Sequence, residues 1–62
     1  MFDTVDFITE DPWRMEEVTY VTGMPIPRVG EYVSVGRISG LVTKVEYLFD
    51  AKVISVKVAN SG

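Results

Sequence analysis

The stretch Leu41–Ala59, LVTKVEYLFDAKVISVKVA, decides the fold. Leu41, Thr43, Val45, Tyr47 and Phe49 occupy alternate positions, and Ile54, Val56 and Val58 do so again further on. A period of two over this length is the signature of strands with one apolar face. A loop of even length centred on Asp50-Ala51 sets Tyr47 opposite Ile54, Val45 opposite Val56 and Thr43 opposite Val58. The loop is either that dipeptide alone or the four residues Phe49–Lys52, and both keep the same parity. A slip of one residue would turn the whole apolar set to solvent, so the register is well specified. On the reverse face Lys44 then meets Lys57, Glu46 meets Ser55 and Leu48 meets Val53. Glu46 is placed diagonally to Lys57, where it offsets the repulsion between the two lysines.

Working outward, EYVSV (Glu31–Val35) predicts a further strand, with Val29, Val33 and Val35 inward and Tyr32 and Ser34 on the other side. GRISG (Gly36–Gly40) reads as a turn whose glycines supply positive φ. An odd loop there sets Val35 against Leu41. Upstream, MEEVTYV predicts another strand, with Val18 and Tyr20 on one face and Thr19 and Val21 on the other. Gly23 ends it. In the loop that follows, Pro25 and Pro27 lack backbone donors and hold the chain extended. That loop either makes a rigid connection or presents Met24 and Ile26 to a partner.

Residues 1–14 support two readings. TVDFI is consistent with a short edge strand carrying Val5 and Phe7 together, and the whole segment is equally consistent with a peripheral arm. Asp11 and Pro12 also form a helix-start pattern, with Asp11 as the cap and Pro12 at the first helical position. Only a turn or one helical loop fits before the alternation resumes, with Trp13 covering an open end of the core.

Four or five short strands with glycine turns at close spacing predict one all-β domain over residues 1–62, a small antiparallel barrel or half-barrel. Gly30-x-x-Val33-x-Val35 followed by Gly40-x-Val42-x-x-Val45 resembles the opening of SH3-like barrels of the KOW type. The similarity covers roughly residues 27–49. It implies a hairpin whose glycine precedes the strand leading back into the barrel. The glycine-rich link of the KOW pattern is shortened here, and the basic residues of its nucleic-acid-binding members are sparse, so the resemblance carries a fold and no activity.

Composition narrows function mainly by exclusion. The 62 residues contain neither cysteine nor histidine, which removes disulfides, thiolate metal sites and the commonest general base. Nine acidic residues are present, but no two are marked as a pair held in a cleft. Asp3, Asp6 and Glu10 do not match the spacing of a calcium loop, and Ser34, Ser39, Ser55 and Ser61 lack a catalytic base motif. No glycine loop suited to phosphate appears. The expectation is a protein without catalytic residues, cofactor or metal, and without a membrane span or signal peptide, hence cytoplasmic.

Charge is uneven. Residues 1–31 hold seven acids and two arginines, a net of −5, and residues 32–62 hold four basic and two acidic residues, a net of +2. The two halves are complementary across one sheet, or the acidic half faces a basic partner. Apolar residues form 47% of the chain, more than one very small core hides. The reading is therefore a non-enzymatic protein–protein interaction or accessory module, with self-association as a homodimer one form of it. Its contact candidates are Trp13, Met24, Ile26, Tyr32, Leu48 and Val53. The alternative is a weak nucleic-acid-binding barrel using Tyr32, Arg37, Lys44, Lys52 and Lys57, which the negative net charge disfavours.

Overall fold

A computed structural model describes residues 1–60 of the chain; Ser61 and Gly62 lie outside the described residues. Five strands carry the fold: β1 (Thr4–Glu10), β2 (Trp13–Thr19), β3 (Tyr32–Val35), β4 (Ile38–Leu48) and β5 (Val53–Asn60). They form one sheet in the order β2-β1-β5-β4-β3. The protein is all-β, and the sheet curls into a half-barrel. The pairs β1–β2, β3–β4 and β4–β5 are antiparallel, as expected from short connections. The pair β1–β5 is parallel. Parallel neighbours need a long crossover, and the forty-odd residues between these two strands supply it.

The β4–β5 hairpin has the register that alternation predicts over most of its length: Leu48↔Val53, Tyr47↔Ile54, Glu46↔Ser55, Val45↔Val56 and Lys44↔Lys57. The longer loop is the one adopted, with Lys52 in the left-handed region at φ 59° and its N–H donating to the Phe49 carbonyl at 3.3 Å. Beyond Lys44 the pattern breaks. Val42, and not Thr43, pairs with Val58, because a bulge lies between Val42 and Lys44. The extra residue reverses which parity faces inward. Val42 and Ile38 are fully buried upstream of the bulge, and Leu41 is 51% exposed.

The expected turn from Gly36 to Gly40 is corrected in the same way. The turn is only Gly36-Arg37, Val35 pairs with Ile38 rather than Leu41, and Ser39 and Gly40 belong to β4. The shorter turn is favoured because it delivers Ile38 to the core. Gly40 is needed inside the strand: it has φ 152°, and a Cβ there would run into the Ala59 carbonyl oxygen.

The N-terminal segment is an inner strand of the sheet rather than an edge strand or an arm. β1 lies between β2 and β5, and its inward residues Val5, Phe7 and Thr9 are buried. Asp11-Pro12 is the β1–β2 turn, with a cis peptide bond, and no helix starts there. Thr9 Oγ1 donates to the Pro12 carbonyl at 3.0 Å and so satisfies its buried hydroxyl. Strand β2 begins at Trp13, which leaves that side chain 65% exposed instead of covering the core.

Val5, Phe7, Ile38, Val42, Ile54, Val56 and Val58 make the core, with Phe2, Val18, Tyr20, Met24, Ile26, Val33, Val35 and Val45 packed around it. The curl brings the two ends of the sheet together across this core. Glu16 of β2 reaches the Gly36-Arg37 turn, where its Oε2 accepts the Arg37 N–H at 3.5 Å. Gly36 has φ 57°, and a Cβ at that position would lie 2.6 Å from the Glu16 carboxyl carbon, so the missing side chain makes room for the carboxylate.

Candidate protein-binding surface

One end of the half-barrel is closed by rings. Phe2 lies just before β1, Tyr20 just after β2, Tyr47 near the end of β4, and Phe49 opens the β4–β5 loop. Their backbones are tied by hydrogen bonds. The Asp3 N–H donates to the Lys52 carbonyl at 2.7 Å, and the Tyr20 N–H donates to the Asp3 carbonyl at 2.9 Å. This knot centres the cluster on Phe2. Its ring centroid is 5.3 Å from Phe49, 5.7 Å from Tyr47 and 6.1 Å from Tyr20, the last pair edge to face. Such spacings lie in the range where aromatic pairs attract beyond simple burial. Phe2 and Tyr20 are half-buried, whereas Tyr47 is 49% exposed and Phe49 is 75% exposed. Exposed Met1 and Val21 extend the apolar surface at this end.

The residues singled out from the sequence are dispersed. Leu48 and Val53 pair on the outer face, with Thr4 of β1 beside Val53, next to the ring cluster. Trp13 stands at the opposite end of β1–β2. Met24 and Ile26 are half-buried and pack against the core, and Met24 Sδ accepts the Val21 N–H at 3.2 Å. Tyr32 is exposed opposite Leu41 on the outer face of the β3 edge. Phe7, Ile26, Val33 and Val35 line an open groove of about 670 Å³ between the Pro25–Pro27 loop and β3.

The basic candidates make no continuous strip. Lys44 and Lys57 are neighbours on the outer face, but Lys44 pairs with Glu46 at 3.7 Å and Lys57 with Glu10 at 3.9 Å. The expected diagonal between Glu46 and Lys57 is thus replaced by two other pairs, the second of them reaching across to β1. Beside these lysines Glu17, Asp6, Ser55 and Glu46 form one row across β2, β1, β5 and β4. Arg37 and Lys52 are exposed on turns at separate places. No group of three or more acidic side chains suited to holding a metal ion occurs among the described residues.

No family model, curated protein or solved structure matches the chain. The surface must therefore be read from its own geometry. Sequence reasoning assigned Tyr47 and Phe49 to the inward set, and parity does place Tyr47 on the inner face. It is half exposed because it stands one pair from the end of the β4–β5 ladder, at the rim of the sheet. Phe49 belongs to the loop. The signal within reach was the aromatic pair itself, spaced two apart at a hairpin tip.

Proposed function

We propose that the protein is a non-enzymatic protein-binding or accessory module whose ring-lined end engages another protein. The observation that carries this reading is Phe49, 75% exposed at the tip of a cluster of four aromatic rings. A rigid ring held by its neighbours loses little freedom on binding and removes a large apolar area from water, and aromatic residues are enriched at interface centres. Leu48 and Val53 flank this end and belong to the same contact. Nucleic-acid binding is supported less well, because the acidic row Glu17–Asp6–Glu46 adjoins the lysines that would meet phosphate.

Site-specific photo-crosslinking tests the reading. A photoreactive residue at position 49 is expected to capture a discrete protein in cells, and the same probe at position 17 on the acidic row is not. Phe49→Ser, checked for unchanged fold by circular dichroism, is expected to abolish that protein's co-purification. Equal capture at both positions, or none at position 49, would remove the proposal.

A further inference from the structure

The sheet has two open edges, and they differ. β3 spans four residues, begins just after Gly30 and ends at the Gly36-Arg37 turn. The Pro25–Pro27 loop runs beside it across the groove. β2 spans seven residues and contains neither proline nor glycine. Its register against β1 is unbroken from Thr4↔Thr19 to Glu10↔Trp13. Folded proteins usually blunt such an edge with short length, proline, bulges or charged side chains, because its free N–H and C=O groups are a template for another strand. β2 has only the charges, Arg14, Glu16 and Glu17, and these are of both signs, so they bar some pairings and permit others. Trp13 and Met15 are exposed on its outer face. Arg14 and Glu16 share its inner face, opposite Thr9 and Phe7. Arg14, Met15, Glu16 and Arg37 line one shallow recess at this edge, two guanidiniums to one carboxylate.

We infer that two copies of this chain pair through β2, antiparallel about a two-fold axis at Met15, so that their five-stranded sheets become one continuous sheet. The charges of β2 select the register. A two-fold axis normal to the sheet sets residues of the same face opposite one another. Centred on Glu16 or on Glu17, the pairing opposes identical carboxylates. Centred on Arg14, it opposes two guanidiniums. Centred on Met15, it sets Arg14 opposite Glu16 of the second copy, twice by symmetry, with Met15 against Met15 and Trp13 against Glu17. Opposite charges directly across a strand pair are favourable and like charges are not. The recess adds Arg37 beside Arg14 where the incoming Glu16 arrives. This surface lies away from the ring-lined end, so the inference stands independently of the function proposed above.

Sedimentation velocity over a concentration series tests it, with variants that reverse the charges. R14E opposes two carboxylate pairs and E16R two guanidinium pairs. Each is expected to weaken self-association at least about tenfold. Mixed in equal amounts, R14E and E16R regain opposite charges at both positions and are expected to form a heterodimer. A purely folding-related role would not produce that rescue. Glu16 also clasps the Arg37 turn within its own chain. Should E16R unfold, amide exchange of wild type and R14E decides: the β2 amides of wild type slow as concentration rises, and those of R14E do not. A wild-type chain that stays monomeric up to about 1 mM, a dimer indifferent to R14E, a folded mixture without rescue, or β2 amides insensitive to concentration would each overturn the inference.

Discussion

Replacing Gly40 by alanine should remove about half of the native stability, and the structure separates the reasons. Gly40 lies inside β4, opposite Val33 on one side and Asn60 on the other, with φ at 152°. A side-chain-bearing residue held at such a φ costs about 1–3 kcal/mol. The new Cβ would also meet the Ala59 carbonyl oxygen, which is backbone and has no flexible end to swing away. The β4–β5 ladder would have to part at Leu41↔Ala59 and Gly40↔Asn60. Losing one or two ladder hydrogen bonds adds about 1–2 kcal/mol. The sum, about 2–5 kcal/mol, stands against a total stability of about 3–9 kcal/mol for a chain of this length. Gly30 is the control. It has φ 95° with nothing within 4 Å of where a Cβ would sit, so Gly30→Ala incurs the dihedral cost alone. Urea titration followed by far-UV circular dichroism should therefore rank wild type above G30A and G30A above G40A. If G40A unfolds at the same urea concentration as G30A, the contact with Ala59 is not what demands glycine.

Ile38→Ala should cost about 2–5 kcal/mol in the same titration, whereas Leu41→Ala should stay within about 0.5 kcal/mol; the reverse order would mean that β4 has no bulge at Thr43. Phe2→Ala should destabilise by about 2–4 kcal/mol because three other rings rest on it, and Phe49→Ser by less than about 1 kcal/mol. Similar losses for the two would show that Phe49 is structural. Gly36→Ala should be milder in a Glu16→Ala background than alone, by about 0.5–1 kcal/mol, since the clash with the carboxyl group is then gone. Strict additivity in that double-mutant cycle would refute the clasp between β2 and the β3–β4 turn.

Alternation made β5 and the lower half of β4 legible, because Val45, Ile54 and Val56 have no other way to share a face. It failed at Thr43. A bulged residue in the middle of a strand carries no compositional mark, and nothing in GRISG announces that its isoleucine is core while its second glycine is strand. The N-terminal strand had the right inward residues, Val5 and Phe7, but its neighbours are set by contacts with a segment about fifty positions away, which local pattern does not encode. Asp11-Pro12 suits a helix start and a tight hairpin equally well, and the seven-residue register of β1 with β2 settled the matter in favour of the hairpin. The ring-lined end draws on three separate segments, around Phe2, Tyr20 and Tyr47–Phe49, so it exists only once the sheet has curled. The Leu48↔Val53 pair was legible from parity, whereas the exposure of Phe49 was hidden by its being counted as part of a strand.

The parallel contact between β1 and β5 has a consequence for how the molecule comes into being. The fifth strand is made after the other four and takes the middle place, with one hairpin on either side. Until it arrives, β1–β2 and β3–β4 have no common neighbour and no shared interior to collapse onto. Assembly thus waits on the pairing of residues far apart along the chain, which puts folding in the slow, millisecond-to-second class despite the small size. Without β5 the chain is two separate hairpins; the eight residues Val53–Asn60 join them into one sheet.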